Sequence, residues 1–346
     1  MRSFPQRHAM VSLVVTCGLL LGPGGTALAM AGADTPPAPP WEVRTSQAHP
    51  LVGKVFVPRS GGFLTPTEAI ERMAGADFVL LGEKHDNPDH HRLQAWVTGR
   101  LVERGRRPAL VLEMIDTDHG DAVAAYLRDY PREAAGLGDA VGWSRTGWPE
   151  WSQYRPIVEA VVSAGLPVVP GNLPRDLVRR IGREGLAALD VETVRRLGVD
   201  REPTAAAASG LAREIVENHC RMLPDAAIPR MVQVQRSRDG SLAATMKAAG
   251  DKGGAVLIAG AGHARTDWGV PDYLRDSGDG RSIVSVAFIE VDDDHADAWT
   301  YADRFGVATL PFDLVWFTPR VDNEDPCAKM VEHMHRKKEK GEKGGK

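Results

Sequence analysis

Six short apolar runs, separated by stretches with helical patterns, constrain the fold of this chain more than any other feature of its sequence. They lie at 77–82, 109–114, 166–171, 255–260, 283–291 and 313–317. Runs of this length with few polar residues are typical of strands that are buried on both faces of a parallel sheet. We therefore predict an α/β fold with a mostly parallel sheet covered by helices.

The interval between the third and fourth runs contains helical signals alone. They lie at about 176–183, 191–197, 206–222 and 227–249. We therefore predict a helical lobe at about 174–250, inserted between two strands of one sheet. The rest of the chain, once its two ends are set aside, is long enough for one elaborated domain at 51–327 rather than two independent domains.

The first 29 residues have the parts of a secretory signal peptide. Basic residues precede an apolar run, and Ala27-Leu28-Ala29 is an A-x-A cleavage site. We therefore predict export across the inner membrane and a periplasmic location. Cys17 lies inside the apolar run, but the preceding Val14-Val15-Thr16 matches a lipoprotein signal poorly, so lipid anchoring has weak support.

Three further features concern the segments outside the predicted core. Residues 30–50 are rich in Pro, Ala and polar residues, which is typical of a flexible linker. Residues 328–346 form a basic tail that we expect to be disordered. After cleavage two cysteines remain, Cys220 and Cys327, and the sequence leaves open whether they pair.

Charge and hydropathy exclude two classes of protein. The 42 basic and 46 acidic side chains give a net charge of −4, so the chain lacks the basic footprint of a nucleic-acid-binding protein. It also lacks the run of about 20 apolar residues that a transmembrane helix needs. We therefore expect neither nucleic-acid binding nor a transmembrane span.

Polar residues follow four of the predicted strands. They are Glu83 and His85, Glu113, Asn172 and His263, and both histidines end a Gly-x-x-His motif. Because the carboxyl ends of parallel strands border the ligand crevice, we expect these side chains to converge. Histidine with carboxylate favours a divalent-metal site or an acid–base pair. The alternative is that the two histidines only hold loops together.

An aromatic cluster follows the second strand. Trp143, Trp148, Trp151 and Tyr154 lie within twelve positions. They could form a small satellite core, or a flat apolar face for a ligand. In the second case a tyrosine phenolate could bind ferric iron.

Several motifs together resemble the ChaN-like haem-binding uptake proteins of the Tiki superfamily. They span nearly the whole mature chain, and their order and spacing carry the resemblance. The motifs are Leu81-Gly82-Glu83-Lys84-His85, Leu112-Glu113-Met114, Trp151-x-x-Tyr154, Gly171-Asn172-Leu173-Pro174-Arg175, Gln235 with Arg238-Asp239, Gly260-x-Gly262-His263, Val315-Trp316-Phe317-Thr318-Pro319 and Asp325-Pro326-Cys327.

The resemblance implies a haem-binding protein in haem or iron uptake, with outer-membrane uptake partners and in some members a homodimer that encloses paired haems. It also implies tyrosine ligation of the iron, for which Tyr154 is the candidate and Tyr273 and Tyr301 are weaker ones. The haem-site candidates are Tyr154, His85, His263, Trp151 and Asn172.

Two alternative functions remain, of which the first, a hydrolase, is implied by other members of the superfamily. A divalent-metal-dependent hydrolase would use Glu83, His85, Glu113 and His263 for catalysis, with His85, His263 and Glu83 as metal ligands. A chaperone-like binding module would keep these residues without their chemistry. Haem binding is the function that the resemblance favours.

Overall fold

The apolar runs lie in one eight-stranded sheet in the computed structural model, which describes residues 41–332 except 252, 277, 279 and 326. The predicted signal peptide and most of the basic tail are outside the described residues. The strands are β1 (Val55–Val57), β2 (Gly62–Leu64), β3 (Phe78–Glu83), β4 (Ala109–Asp116), β5 (Val168–Asn172), β6 (Ala255–Gly260), β7 (Ile283–Glu290) and β8 (Leu314–Thr318).

The strands follow the order β2-β1-β8-β7-β3-β6-β4-β5 across the sheet. All neighbours from β8 to β5 are parallel, whereas β1 is antiparallel to both β2 and β8. The prediction of a mostly parallel sheet is therefore confirmed. The sequence did not predict β1 and β2, because strands of three residues are too short to form a recognisable apolar run.

Helices cover the sheet on both faces, and buried apolar side chains form a core on each side. None of the described helices is both long and apolar enough to cross a bilayer. The helices are α1 (Pro66–Ala74), α2 (Pro88–Glu103), α3 (Gly120–Asp129), α4 (Leu137–Ala140), α5 (Trp151–Val162), α6 (Arg175–Glu184), α7 (Val191–Leu197), α8 (Ala205–Asn218), α9 (Ile228–Ala249), α10 (Ala261–Ala264) and α11 (Val270–Arg275).

The helical interval between β5 and β6 contains α6 to α9. Its longest helix, α9, packs against β4, β5 and β6, so the lobe shares the core of the sheet. The buried face of α9 carries polar residues as well as apolar ones, among them Ser237, Asp239 and Ser241. This helix therefore brings polar side chains to the sheet.

The predicted linker is wrong for its last ten residues. Trp41 and Val43 are buried. The backbone N–H groups of Glu42 and Val43 each donate to a different oxygen of the buried Asp89 carboxylate, at 3.0 Å. These contacts fix the chain on the N-terminus of α2, which polar composition alone could not reveal. At the other end, residues 327–332 are helical, so the first positions of the predicted tail are ordered.

Cys220 and Cys327 form a disulfide bond with a Cα–Cα distance of 5.4 Å. It joins the end of α8 in the helical lobe to the segment that follows β8. The pairing that the sequence left open is therefore made in the structure.

Candidate functional site

The candidate site lies at the carboxyl ends of β3, β6 and β4, which are neighbours in the sheet. Glu83 ends β3 and is in register with Gly260, the last residue of β6. Glu113 lies in β4, and His263 lies in α10 directly after β6. The parallel topology therefore brings together residues that are far apart in the sequence, as predicted.

One half of the site is a carboxylate–imidazole pair. Nδ1 of His85 lies 2.8 Å from Oε1 of the buried Glu83, and Nε2 of His91 lies 3.3 Å from the other oxygen. Burial alone would raise the pKa of Glu83, but its contacts with the two histidines outweigh burial and lower the pKa to about 2. Glu83 is therefore an anion near neutral pH, and it orients the ring of His85.

The other half of the site is a second pair, supported from helix α9. Nδ1 of His263 lies 2.6 Å from Oδ1 of Asp239, and its Nε2 lies 3.3 Å from Oε1 of Glu113. Burial would lower the pKa of His263, but Glu113 and Asp239 outweigh burial and raise it to about 9. His263 is therefore an imidazolium at neutral pH.

Glu113 connects the two pairs. Its Oε1 accepts a hydrogen bond from Arg238 at 2.6 Å, and its Oε2 accepts one from the backbone N–H of Gly260 at 2.7 Å. Burial opposes ionisation, but the positive charges of His263 and Arg238 lower the pKa of Glu113. Oε2 also lies 4.0 Å from Nε2 of His85.

Gly260 gives His85 the space that this arrangement needs. A Cβ atom at position 260 would lie 2.9 Å from Nε2 of His85, which is closer than real Cβ contacts allow. A side chain at position 260 would therefore displace the ring of His85 from its observed position.

A cavity of about 330 Å³ opens beside the two pairs. Its volume is near the small end of the range of about 300–1,000 Å³ that is typical of ligand pockets. The side chain of His85 is 34% exposed, and its ring centroid lies 4.7 Å from that of Trp148. The other walls come from the lobe and from β6 and its following turn. The lining residues are His85, Glu113, Trp148, Leu211, Glu214, Ile215, Asn218, His219, Met231, Val234, Gln235, Arg238, Gly260, Gly262, His263 and Trp268.

Tyr154, the predicted iron ligand, does not reach this cavity. Its side chain is fully buried, and its hydroxyl donates to Oε1 of Glu83 at 2.6 Å. Burial and the nearby Glu83 raise the pKa of Tyr154, so the phenol stays protonated. The two weaker candidates, Tyr273 and Tyr301, are buried as well. None of these three tyrosines lines the cavity in the structure, and tyrosine ligation of the iron stays a prediction.

The aromatic cluster divides into a core part and a cavity part. Trp143 packs against Trp151 and Tyr154, with ring centroids 4.9 Å and 5.1 Å away. The indole N–H of Trp151 contacts the backbone carbonyls of residues 134 and 135, so this predicted haem contact belongs to the satellite core. Trp148, which belongs to the predicted cluster but was not among the haem-site candidates, lines the cavity instead.

The donors are not arranged as the predicted metal site. Glu83 contacts His85, whereas His263 contacts Glu113 and Asp239, so the expected set of His85, His263 and Glu83 is divided between two pairs. Among residues 41–332, apart from the four positions left out, no group of three or more His, Cys, Asp or Glu side chains is placed to hold a metal ion.

Two residues that contact the site were not predicted as site residues, although the sequence analysis noted the motif that contains them. Arg238 and Asp239 are consecutive on α9, and they bind Glu113 and His263, respectively. Arg238 also donates from Nε to Oδ1 of Asn172, at 3.2 Å, which links the predicted Asn172 to the site. Two charged residues in a helix that packs against a sheet could have indicated that they reach the site.

A family model described as haem-binding uptake, Tiki superfamily, ChaN matches residues 69–274. A solved structure described as cofacial haem binding to ChaN of Campylobacter jejuni matches with a TM-score of 0.58 and 19% identity, over 76% of this chain and 95% of that chain.

A second solved structure, of an erythromycin esterase mutant in its open conformation, matches with a TM-score of 0.41 and 14% identity, over 79% of this chain and 99% of that chain. No curated protein matches this chain. At 19% identity the ChaN structure bears on the fold alone, whereas the family model covers more than half of the chain. This chain therefore belongs to the ChaN family of haem-binding uptake proteins in the Tiki superfamily.

Proposed function

We propose that this chain is a periplasmic haem-binding protein that takes part in haem or iron uptake, and that His85 is its iron ligand. One observation carries the assignment of the ligand. Nδ1 of His85 is bonded to the buried Glu83, so Nε2 remains for a ligand on the cavity side. A histidine whose second nitrogen is held by a carboxylate is the usual arrangement of a metal-binding imidazole.

One part of the cavity wall near His85 suits the porphyrin ring of haem. Trp148, Leu211, Ile215 and Trp268 are apolar or aromatic side chains in the cavity wall. Bound haem would supply an iron centre with redox or carrier chemistry, and the protein would supply orientation and exclusion of water. In this proposal His263 contributes positive charge rather than a bond to iron, because Glu113 and Asp239 keep it protonated.

Haemin titration of the purified protein tests the proposal. We expect a saturable change in the Soret band at micromolar haemin, and we expect His85→Ala to weaken or abolish it. His119→Ala is a matched control, because its side chain is 39% exposed but does not line the cavity. A wild-type protein without a saturable change, or an equal loss in both variants, contradicts the proposal.

Location and assembly are part of the same proposal. The predicted signal peptide and the disulfide between Cys220 and Cys327 favour an oxidising compartment. Fractionation of cells that produce the full chain should recover it in the periplasm, and a cytoplasmic protein with free thiols would contradict this.

Since the solved ChaN structure is described as cofacial haem binding, we further propose a homodimer. Sedimentation with and without haemin tests it.

The two carboxylate–imidazole pairs favour hydrolysis as a second candidate function. The protonated His263 is a suitable proton donor, and its partner carboxylates fix its orientation. Ester hydrolysis by the purified protein that is lost in His263→Ala but kept in His119→Ala would support this candidate. Metal content and the haem absorbance spectrum should be measured on the same sample.

A further inference from the structure

A second cavity, of about 320 Å³, lies beside the candidate site. It shares Trp148 and Arg238 with the first cavity, so a ligand that spans both would contact these two side chains. Three arginines and one carboxylate line it, together with apolar residues. The lining residues are Asp116, Trp148, Asn172, Leu173, Arg175, Val178, Arg179 and Arg238.

Arg238 is held in place but keeps unused donors. It donates from Nη2 to Glu113 and from Nε to Asn172, which fixes the plane of the guanidinium. Arginine has five N–H donors, and the contacts described here use two of them. Its side chain is partly exposed and lines both cavities. A ligand in either cavity can therefore reach a guanidinium that is already oriented.

Arg175 and Arg179 lie one helical turn apart at the start of α6. Arg175 donates to the backbone carbonyl of Thr146, and its Nε lies 4.0 Å from Oδ2 of Asp116. Arg179 forms an exposed ion pair with Asp176 at 2.6 Å. Asp116 is the one carboxylate that lines the cavity, and burial raises its pKa. Three of the charged side chains that line the cavity are therefore positive and one is negative, while Glu113 and Asp176, which pair with Arg238 and Arg179, lie outside its lining.

We propose that this second cavity is an anion subsite that binds carboxylate groups of the ligand held at His85. The inference rests on the proposed function, in which that ligand is haem, whose two propionate groups are carboxylates. Guanidinium groups bind carboxylates in a planar, often bidentate way, which suits three arginines on one wall. The apolar side chains of Trp148, Leu173 and Val178 suit the ring that carries such carboxylates.

The test varies both the protein and the ligand. Dissociation constants are measured for haemin, haemin dimethyl ester and iron-free protoporphyrin, by absorbance for the iron porphyrins and by quenching of tryptophan fluorescence for protoporphyrin. The variants are the double substitution Arg175→Gln with Arg179→Gln and, as a matched control, Arg183→Gln, an exposed arginine on the same helix. Thermal unfolding of each variant shows whether it is folded.

The double variant should bind haemin and protoporphyrin about 5-fold to 10-fold more weakly than wild type, since partly exposed ion pairs each contribute modestly. The dimethyl ester should bind wild type and double variant equally. Arg183→Gln should bind all three ligands like wild type.

Equal binding of haemin to wild type and double variant, or equal weakening of haemin and ester, overturns the subsite. The proposed function survives that result if the Soret change still depends on His85. If haemin gives no Soret change but protoporphyrin binds with the expected arginine dependence, iron ligation fails and the subsite stands. If no porphyrin binds wild type, both fail.

Discussion

Replacing the buried carboxylate of Glu83 should destabilise the protein by an amount that depends on pH. In the folded state its pKa is about 2, compared with 4.5 for an ordinary glutamate. At about 1.4 kcal/mol for each pH unit, this difference corresponds to about 3 kcal/mol of stability near neutral pH. Glu83→Gln preserves the size of the side chain but removes the charge that contacts His85 and His91.

The sign follows from the lowered pKa. The ionised form of Glu83 stabilises the fold above about pH 4.5, and this contribution is lost as the pH falls toward 2. The free energy of unfolding, from urea titrations between pH 3 and pH 7, should therefore differ by about 3 kcal/mol between wild type and Glu83→Gln at pH 7. The difference should stay near this value down to about pH 5 and shrink as the pH falls further toward 3.

Glu71→Gln, a change of an exposed carboxylate on α1, is the control and should follow the wild-type curve. A difference between wild type and Glu83→Gln that stays constant from pH 7 to pH 3 would refute the electrostatic reasoning. It would mean that Glu83 contributes by packing or by neutral hydrogen bonds alone.

Three further predictions concern groups around the site. Tyr154→Phe should leave the haemin-induced Soret change intact, because the phenol is buried. It should lower the free energy of unfolding in urea by about 1–3 kcal/mol, because the hydrogen bond to the charged Glu83 is lost. Loss of the Soret change in this variant would support the tyrosine as the iron ligand. Asp239→Asn should lower the pKa of His263 below its value of about 9, which an NMR titration of the imidazole would detect. Replacing Cys220 and Cys327 by serine should cost about 2–5 kcal/mol, because the disulfide closes a loop across 107 positions, and added reductant should then have no further effect on unfolding.

The strands that position the site were predictable because of their surroundings. Strands covered on both faces need apolar side chains at nearly every position, so β3, β4 and β6 leave a continuous pattern in the sequence. The glycines and polar residues after them mark the crevice. Strands β1 and β2 lie at the edge of the sheet and are three residues long, so pairing with a distant strand, rather than local pattern, determines them.

Side-chain direction was the part of the site that the sequence could not provide. Trp151 and Tyr154 are three positions apart on α5 and share a face of that helix, but periodicity does not show what the face packs against. The structure directs it toward Trp143 and Glu83 and away from the cavity. Similarly, spacing placed two histidines at one sheet edge but could not show which carboxylate contacts each.

The division of the carboxylates gives the two histidines different surroundings, and this is why we propose His85 rather than His263 as the iron ligand. His263 lies between Asp239 and Glu113, so both ring nitrogens face anions and both carry protons near neutral pH. A nitrogen that carries a proton cannot bind a metal. His85 has a close carboxylate at Nδ1 alone, and Glu113 is 4.0 Å from its Nε2. Burial lowers the pKa of His85, but Glu83 and Glu113 outweigh burial and raise it, so iron has to displace a proton from Nε2. In the proposed function, the same cavity therefore uses one imidazole as the iron ligand and the other as a fixed cation.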